Sequence, residues 1–419
     1  MEAEKAIKSA MTDKFNAQSM HASVTQEKLL LNVRIARIST VAFFVVSQLK
    51  RQIESLSASG AQVTVVASGG SEMASLKAIP DVNCAVIDIP RSISPWRDML
   101  ALIRLYRFFR REHIDIAHST TPKAGLLTAI AALLAGVPIR LHTFTGQPWV
   151  NMQGVRRVLA RGSDRLIGKL NSRCYADSKS QRQFLIEQGI IDAKQLFVIG
   201  EGSLAGVDIE RFNQARFSSE ERIAARHTLN IPENAQVILF VGRITVDKGV
   251  HELLEAFREI KAKQSRAHLV FVGRFDSDSG VAGGISQRDI EGVPDTHIVG
   301  YTECPEAYLA IADILCLPSY REGFGTVVIE AAAMGVPTVG SDIYGLSDAV
   351  VNSETGILVP PRDTVALSAA LSMLLADEER RVKMGRAARQ RSEMLFDANL
   401  INGKLIEECY NLLRNASNA

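Results

Sequence analysis

Short apolar runs alternate with longer stretches of helical spacing along most of the chain, and this alternation predicts parallel strands connected by helices. In the first half the runs predict strands at residues 29–38, 62–67, 84–89, 114–118, 139–142, 174–178 and 196–199. In the second half they predict strands at residues 236–241, 269–272, 297–299 and 314–317. Runs that are apolar throughout indicate strands covered on both faces. The pattern therefore predicts an α/β protein with doubly wound parallel sheets.

The length of 419 residues exceeds what a single hydrophobic core usually organises, so we expect two domains. The Gly-rich passage at residues 200–212, GEGSLAGVDIERF, is interpreted as the hinge between them. It is only superficially similar to a dinucleotide-binding fingerprint, because its third glycine is misplaced and no helical pattern follows. An NAD-dependent enzyme is disfavoured further, because no G-x-G-x-x-G follows the first strand.

The stretch at residues 315–340, LCLPSYREGFGTVVIEAAAMGVPTVG, predicts a buried strand, a Gly-rich turn, a helix and a second strand. Gly323 and Gly325 free the backbone for a tight turn, a helix starts at Thr326, and Gly335 ends it. A helix that begins directly after such a turn presents unpaired N–H groups and the positive end of its dipole. This arrangement favours a bound phosphate.

Two carboxylates flank that turn, Glu322 on the loop and Glu330 inside the helix. Glu330 is flanked by apolar residues, with Val and Ile before it and Ala after it, so its carboxylate needs hydrogen-bond partners, and the vicinal hydroxyls of a ribose would supply them. Glu322 could meet hydroxyls of a sugar beyond the phosphates. The alternative is that Glu330 forms an ordinary salt bridge and Glu322 is a solvated loop residue. Spacing alone leaves the two interpretations about equal.

Polar residues also follow the strands of the first half, in the segments HSTTPKAG and TFTGQPW. Ligands of open α/β sheets bind beyond the carboxyl ends of the strands, so these residues should line a ligand-binding cleft. The predicted set is His118, Thr121, Lys123, His142, Thr143 and Gly146. Isolated histidines are usually structural, and His142, placed at a predicted strand end before a Gly-containing loop, is the better functional candidate.

In the second half, Arg243 and Lys248 follow the strand at residues 236–241 and can place two cations beside a diphosphate. The alternative, solvated loop cations, is weakened by their position at a strand end. Asp276 and Asp278 form a D-x-D pattern, but the loop is polar throughout and offers no third ligand. We therefore predict no metal site there.

The Glu322-to-Glu330 spacing, with Gly323, Phe324 and Gly325 between, resembles the E-x7-E signature of retaining glycosyltransferases of family 4. VGRITVDKG, at residues 241–249, resembles the second signature of that family. The likeness covers about residues 30–415, and segments such as LHTFTGQPW and ADSKSQ resemble a subgroup that assembles bacterial surface polysaccharides. The resemblance implies the GT-B fold, two Rossmann-like doubly wound domains that face each other across a cleft.

That resemblance also implies a domain plan. Residues 1–28 would form a polar amino-terminal extension, and residues 29–207 the domain that binds the acceptor. Residues 208–395 would bind the nucleotide sugar, and residues 396–419 would form a helix that crosses back to the first domain.

The resemblance further implies residue roles. Arg243 and Lys248 would bind the diphosphate, Glu330 the ribose, and Glu322 with neighbouring backbone N–H groups the sugar and phosphate. The full donor-binding set is Arg243, Lys248, Gly273, Arg274, Tyr301, Glu322, Gly323, Phe324, Gly325 and Glu330. The catalytic set is Glu322, His142, Arg243 and Lys248, with His142 beside the transferring sugar. The acceptor set is His118, Thr121 and Lys123, and no metal or other cofactor is required.

Two departures limit this transfer of roles. The first-strand loop, STVAFF, lacks the paired glycines that many relatives use near the acceptor, which leaves the acceptor contacts open. Gly325 stands where many relatives have Pro, so sugar specificity does not transfer.

Charge is distributed unevenly along the chain. Residues 1–209 carry 26 basic and 17 acidic side chains, whereas residues 210–419 carry 22 and 29. A helix predicted at residues 95–113 interleaves five arginines with apolar residues, which is typical of helices that lie on anionic membranes. The favoured alternative is an ordinary helix whose apolar stripe packs on the sheet. Scattered cysteines, no apolar run of about 18 residues and no signal peptide predict a cytoplasmic protein, with peripheral membrane contact as a separate hypothesis.

The sequence thus predicts an enzyme that moves a hexose or N-acetylhexosamine from a UDP-sugar to a saccharide linked to a lipid diphosphate, with retained configuration. Nucleic acid is not an expected partner. The alternatives are a GT-B epimerase or phosphorylase and a non-catalytic nucleotide-sugar-binding protein. Turnover of donor without acceptor would favour the epimerase. Binding of the donor without turnover would favour the non-catalytic nucleotide-sugar-binding protein.

Overall fold

The computed structural model describes residues 28–70, 72–90, 92, 94–263, 266–275 and 284–417. These residues form two compact units. The amino-terminal unit comprises Gln26–Gly206 with Glu322–Thr326 and Leu395–Ala419, and the carboxyl-terminal unit comprises Val207–Arg321 with Val327–Met394. The expected extension at residues 1–28, apart from residue 28, and the D-x-D of Asp276 and Asp278 lie outside the described residues.

The amino-terminal unit contains a seven-stranded parallel sheet in the order β3-β2-β1-β4-β5-β6-β7. Its strands are β1 (Arg34–Val41), β2 (Gln62–Ser68), β3 (Val82–Val86), β4 (Ile116–Thr120), β5 (Ile139–Phe144), β6 (Arg173–Ala176) and β7 (Leu196–Phe197). Its helices up to residue 187 are α1 (Ala42–Phe44), α2 (Lys50–Ala58), α3 (Met73–Lys77), α4 (Pro95–Glu112), α5 (Pro122–Ala135), α6 (Gly154–Leu170) and α7 (Lys179–Glu187). The π-helical turn Val45–Leu49 and the 3₁₀ turn Pro148–Asn151 complete this list.

Alternate strand residues of this sheet face opposite layers, and both layers are apolar. Ile35, Ile116 and Leu141 face one layer, in which Leu405 and Cys409 of the last helix also pack. Residues of opposite parity face α4 and α5 on the other side of the sheet. The strand order reverses between β1 and β4, which is the point where open α/β sheets bind ligands.

The carboxyl-terminal unit contains a six-stranded parallel sheet in the order β10-β9-β8-β11-β12-β13. Its strands are β8 (Gln236–Val241), β9 (Ala267–Val272), β10 (Thr296–Gly300), β11 (Ile314–Leu317), β12 (Thr338–Ser341) and β13 (Gly356–Val359). The remaining helices are α8 (Ser219–Thr228), α9 (Val250–Lys263), α10 (Gln287–Glu291), α11 (Pro305–Leu309), α12 (Thr326–Ala333), α13 (Leu346–Ala349), α14 (Thr364–Ala376), α15 (Glu378–Leu395) and α16 (Ala398–Ser417). The 3₁₀ turns Gln214–Arg216 and Val246–Lys248 lie between them.

These two sheets confirm the predicted doubly wound α/β class, with corrections at element ends. The predicted strand at residues 29–38 starts only at Arg34, because residues 29–32 form turns. The chain after residue 377 forms two helices, α15 and α16, and Asp397 caps α16 by accepting a hydrogen bond from Asn399 N–H. Strand β13 was not predicted. None of the helices among the described residues combines the length and apolar character that crossing a bilayer requires.

Candidate functional site

In the carboxyl-terminal unit, most of the predicted donor-binding residues lie at one edge of the sheet. The strand order reverses between β8 and β11, and the loops after β8, β9, β10 and β11 gather at that edge. These loops and the helix after β11 carry Arg243, Lys248, Gly273, Arg274, Tyr301 and Glu330. The structure therefore brings together six residues that are separated by up to 87 positions in the sequence.

Glycine allows the loop after β8 to lie directly on the end of β11. Gly249 has a φ of +70°, in the left-handed region that favours glycine. A Cβ at this position would lie 2.0 Å from the carbonyl oxygen of Pro318, which follows β11. Lys248 precedes this contact in the short turn Val246–Lys248, so the close approach fixes where that cation sits.

A second close approach joins the loops after β8 and β9. Gly273 has a φ of +149°, and a Cβ there would lie 1.7 Å from the carbonyl oxygen of Gly242. The N–H of Gly273 donates a hydrogen bond of 2.8 Å to the carbonyl oxygen of Gly300, at the end of β10. Three successive strand ends are thereby held edge to edge, and only glycine can occupy position 273.

Beyond these glycines, Arg274 and Tyr301 form a flat platform. The guanidinium carbon of Arg274 lies 4.2 Å from the centroid of the Tyr301 ring, within the range of a cation–π contact. The two residues come from loops after neighbouring strands, β9 and β10. Planar groups of this kind are suited to stacking against a nucleobase.

The loop after β8 concentrates positive charge around one carboxylate. Asp247 lies 3.3 Å from the guanidinium of Arg321 and accepts a hydrogen bond from Thr245 Oγ1. Burial alone would raise the pKa of Asp247, but that hydrogen bond and the charges of Arg321, Lys248 and Arg243 lower it. Three cations around one anion leave a net positive charge at the strand ends, which suits a diphosphate.

Glu330, the fifth residue of α12, is only partly accessible to solvent. Its surroundings raise the pKa of its carboxyl group to about 7, mainly through desolvation. Arg211 opposes that shift and Glu306 adds to it. A carboxyl group in this environment is only poorly hydrated, so hydroxyl donors from a ligand would stabilise its charged form.

Arg211 interacts with a second carboxylate as well as with Glu330. Its Nη2 lies 2.8 Å from a carboxylate oxygen of Glu306, whose side chain is 7% exposed. Although burial lowers the pKa of Arg211, Glu306 and, to a smaller degree, Glu330 raise it above its ordinary value. One guanidinium therefore serves two carboxylates, and Glu330 keeps capacity to accept further hydrogen bonds.

Sequence reasoning missed both Arg211 and Glu306. Arg211 lies in the Gly-rich passage interpreted as a hinge, and Glu306 is the second residue of α11, after Pro305. The two residues are 95 positions apart, and neither has a local pattern that indicates a charged partner. Their pairing follows only from the fold.

In the amino-terminal unit the two predicted histidines lie inside strands and not beyond their ends. His118 occupies the middle of β4, is 3% exposed, and its Nε2 lies 2.8 Å from Thr143 Oγ1. Burial, together with the charges of Arg37 and His142, lowers the pKa of His118 well below its ordinary value. His118 is thus a neutral ring beneath the strand ends, and its acceptor-binding role stays a prediction.

The strand-end position assigned to His142 is wrong. Strand β5 continues to Phe144, and His142 is 1% exposed on the face that packs against α5. A Cβ at Gly125 of α5 would lie 2.4 Å from the His142 ring, and Ser119 Oγ lies 2.9 Å from its Nδ1. Burial and the charge of Arg37 lower the pKa of His142 to about 3, so the ring is neutral at ordinary pH.

Thr121 and Lys123 do lie after β4, at the start of α5. Thr121 has a φ of +64°, which is strained for a β-branched residue, and its Oγ1 lies 2.8 Å from Thr40 Oγ1. Lys123 forms an ion pair with Asp98 at 2.7 Å. The Thr121 hydroxyl reaches the end of β1 at the switch point, whereas the Lys123 ammonium already has an anionic partner.

The loop Glu322–Thr326 groups with the amino-terminal unit through its aromatic side chain. Phe324 is 2% exposed, and its ring centroid lies 5.1 Å from that of Phe396. A Cβ at Gly202 would lie 3.0 Å from the Phe324 ring. The Phe324 side chain therefore anchors the loop, and only its backbone is left for the predicted role toward the donor.

Comparisons with known proteins agree with this architecture. Residues 45–202 match the family "Glycosyl transferase 4-like domain", and residues 221–391 match "Glycosyl transferases group 1". The chain is 30% identical to CapM of Staphylococcus aureus, a capsular polysaccharide biosynthesis glycosyltransferase, over 366 residues. That alignment covers 87% of this chain and 93% of CapM.

A second relative is the UDP-Gal:alpha-D-GlcNAc-diphosphoundecaprenol alpha-1,3-galactosyltransferase of Escherichia coli. It is 27% identical over 294 residues, which cover 69% of this chain and 73% of the relative.

Solved structures show the same fold. A glycosyltransferase from Rickettsia africae superimposes with a TM-score of 0.74 at 21% identity, over 92% of this chain and 99% of that one. HepE of Anabaena, solved in complex with UDP and glucose, gives a TM-score of 0.73 at 17% identity, over 90% of this chain and 99% of HepE. The family matches, the likeness to CapM and the two parallel sheets together show that this chain belongs to the group 1, family 4 glycosyltransferases of GT-B fold.

Proposed function

We propose that this chain transfers a hexose or N-acetylhexosamine from a UDP-sugar to a saccharide linked to a lipid diphosphate, with retention of configuration. The cluster at the strand ends of the carboxyl-terminal unit carries this proposal. It combines a flat platform, a net positive loop and a desolvated carboxyl group, which are the three features a nucleoside diphosphate requires.

Each feature corresponds to one part of the donor. The Arg274–Tyr301 platform stacks on the base, and Glu330 accepts hydrogen bonds from the two ribose hydroxyls. Arg243 and Lys248 bind the diphosphate, with paired donors from the guanidinium and a point charge from the ammonium.

The chemistry follows from the leaving group. Breaking the bond between sugar and diphosphate places negative charge on the phosphate oxygens, so stabilising that charge is the main catalytic requirement. Arg243 and Lys248 supply it, and we propose that no metal is required. In a retaining transfer the acceptor attacks the face from which the diphosphate departs, and a phosphate oxygen takes the proton of the acceptor hydroxyl. We propose that Glu322 holds the hydroxyls of the transferring sugar.

The acceptor class is suggested by relatives. The E. coli relative is named for a diphosphoundecaprenol-linked saccharide, and so is an N-acetylgalactosaminyltransferase of Campylobacter jejuni that is 25% identical over 77% of this chain. We propose the same acceptor class here. A cytoplasmic enzyme would meet such a lipid at the inner face of the membrane.

The amino-terminal unit offers a surface for that contact. Two helices expose large apolar side chains beside arginines: Trp96 and Met99 of α4 are 75% and 51% exposed, and Val155 and Val158 of α6 are 74% and 69% exposed. The apolar stripe of α4 that packs on the sheet is a separate one, which includes Leu105 and Phe109. We propose that the exposed apolar residues and their neighbouring arginines lie on an anionic bilayer.

The first experiment measures thermal stabilisation by a panel of nucleotides and nucleotide sugars, for the wild type and Glu330→Ala. A ligand that binds the native state raises the melting temperature by mass action. We expect UDP and one or more UDP-sugars to raise it, and Glu330→Ala to abolish the shift. No shift with any nucleotide would contradict the donor site.

Turnover is then measured with the selected UDP-sugar and a synthetic lipid-diphosphate saccharide. Arg243→Ala and Lys248→Ala should each lower the rate at least about a hundredfold, since each removes charge stabilisation from the transition state. Lys263→Ala, an exposed lysine at the end of α9, is the matched control and should have no effect. Donor consumption without acceptor would indicate an epimerase, and product of inverted configuration would refute retention.

Membrane contact is tested separately by sedimentation with phosphatidylglycerol vesicles at low salt. Replacing the exposed Arg104, Arg107 and Arg110 of α4 by Glu should abolish binding, because each basic residue near the surface contributes about 1 kcal/mol. The charge-matched control changes three exposed basic residues of the other unit to Glu, namely Lys263 of α9 with Lys383 and Arg386 of α15. Equal binding by both variants, or no binding by the wild type, would refute the proposed surface.

A further inference from the structure

Asp177, directly after β6, lies where two loops of the amino-terminal unit meet. Its backbone is held on both sides: its N–H donates to Gln181 Oε1 at 2.7 Å, and its carbonyl oxygen accepts from the N–H of Ser203 at 2.6 Å. The residue is 6% exposed. Asp177 is therefore a rigid point of the fold, and no role has been assigned to it so far.

The loop that carries Glu322 rests on this point. A Cβ at Gly323 would lie 2.9 Å from Asp177 Oδ2 and 2.8 Å from the carbonyl carbon of Thr145. A Cβ at Gly202 would lie 2.7 Å from the Asp177 carbonyl oxygen and 3.0 Å from the Phe324 ring. The loop approaches Asp177 closely because glycine occupies both positions, and the contact with Asp177 is separate from the Phe324 anchor.

The Asp177 carboxyl group is incompletely hydrogen-bonded. Its Oδ1 is buried and has no hydrogen-bond partner among the described residues. Asp177 lines a small cavity together with Gln52, His118, Thr143 and Tyr175, and Ile401 and Leu405 of α16 also line it.

The titratable groups that face Asp177 do not offset a negative charge there. Burial lowers the pKa of His118 and raises that of Tyr175, so both are neutral at ordinary pH. The loop itself contributes Glu322, a second acid. Burial raises the pKa of Asp177 to about 8, so its carboxyl group is protonated at neutral pH.

We propose that Asp177 is a positioning residue for the proposed sugar transfer: its buried carboxyl group supports the Glu322–Thr326 loop at Gly323 and so fixes the placement of Glu322. The effect of Asp177 on sugar transfer rests on the proposed function. The contact between Asp177 and the loop at Gly323 does not depend on that function. Asp177 acts through the loop and does not touch the donor.

The protonation state of Asp177 determines how well its carboxyl group can support the Glu322–Thr326 loop. The neutral carboxyl group can lie against the Gly323 backbone without cost in charge. An ionised Asp177 would place an unpaired charge in the interior, next to a loop that already carries Glu322 and that we propose binds a diphosphate sugar. The loop should then shift, so the support should weaken as the pH rises through about 8.

Three variants separate positioning from stability. Asp177→Asn keeps the size and one donor but cannot ionise, and Asp177→Ala removes the support. Asp164→Asn is the matched control, because Asp164 is also buried in this unit and accepts a 2.7 Å hydrogen bond from Trp149 Nε1. The measurements are donor KM and kcat from pH 6 to 9, and hydrogen exchange of the Phe324 and Gly325 amides.

We expect the wild-type rate to fall above pH 8 and the Asp177→Asn rate to stay level there. Asp177→Ala should raise donor KM about tenfold and speed loop amide exchange at least about tenfold at pH 7. Asp164→Asn should change the melting temperature alone. An alkaline fall that persists in Asp177→Asn, or loop exchange in Asp177→Ala equal to that of the wild type, would overturn the proposal.

The exchange measurement also separates the two hypotheses. If the wild type turns over no donor, the proposed function fails, and faster loop exchange in Asp177→Ala alone would still support the structural part of the inference. If the wild type is active and Asp177→Ala has unchanged kinetics and exchange, the proposed function stands and Asp177 has no positioning role.

Discussion

Replacing Glu330 by Gln should stabilise the protein at alkaline pH while weakening nucleotide binding. The pKa of Glu330 is raised from 4.5 to about 7 in the folded chain, so the native state holds this proton more tightly than the unfolded state. Stability from this group is therefore fully present below about pH 4.5, declines as the pH rises through about 7, and stays low above it. Gln cannot ionise, so the variant avoids that decline.

The expected stabilisation by Glu330→Gln follows from the pKa shift of Glu330. A shift from 4.5 to about 7 corresponds to at most about 3.5 kcal/mol, at about 1.4 kcal/mol per pKa unit. Glu330 retains some solvent contact, so we expect about 1 to 2 kcal/mol. For a unit of roughly 150 to 250 residues this equals about 2 to 8 °C in melting temperature. The nucleotide loses hydrogen bonds to a charged group, which should lower UDP affinity about tenfold to a hundredfold at pH 8.

The assay records melting temperatures of the wild type and Glu330→Gln from pH 5 to pH 8, with and without UDP. The difference between the two proteins isolates Glu330, since all other groups titrate in both. Glu259→Gln, on the exposed face of α9, is the control and should melt in parallel with the wild type. Parallel melting of Glu330→Gln and the wild type at every pH, or equal UDP affinity at pH 8, would refute the reasoning.

Three further changes test the packing of the site. Gly273→Ala should destabilise the protein and abolish UDP binding, because the new Cβ would lie 1.7 Å from a carbonyl oxygen, whereas Gly162→Ala, with open space in α6, should raise stability by about 1 kcal/mol in the same melts. Arg211→Met should cost about 3 to 5 kcal/mol by urea unfolding, since it leaves Glu306 buried and unpaired, and unchanged stability would contradict the pairing. His142→Asn should lower the melting temperature but leave the pH–rate profile unchanged, because this imidazole is already neutral; a lost titration step would show that it ionises.

The sequence predicted best those strands that are covered on both faces. The bounds of β8 and β11 match the prediction residue for residue, because side chains such as Phe240 and Leu315 are fully buried on either side of the sheet. Where an apolar run is buried outside the sheet, the same reasoning fails. Leu30 is fully buried although it lies in a turn before β1, so burial alone extended the predicted strand too far.

The candidate donor residues were predictable for a similar reason. Strand ends of a doubly wound sheet meet at one edge, so a cation after β8 and an Arg after β9 are neighbours whatever lies between them. The Arg211–Glu306 pair was not predictable, because neither residue follows a strand and their contact depends on how α11 packs. The same pair also modulates the pKa of Glu330, which burial raises.

The error at His142 shows how much depends on a single strand end. Strand side chains alternate between the two faces, and Ser119 pairs with His142 across β4 and β5. His142 therefore faces α5, together with Phe144, whereas His118 and Thr143 face the opposite layer. Ending β5 at residue 142 placed His142 and Thr143 at the ligand edge, but two more residues of strand enclose His142 between the sheet and a helix. The role of His142 beside the transferring sugar therefore stays a prediction. A change at Asp177 acts on the Glu322–Thr326 loop itself, so we expect it to influence the proposed reaction more directly than titrating His142 would.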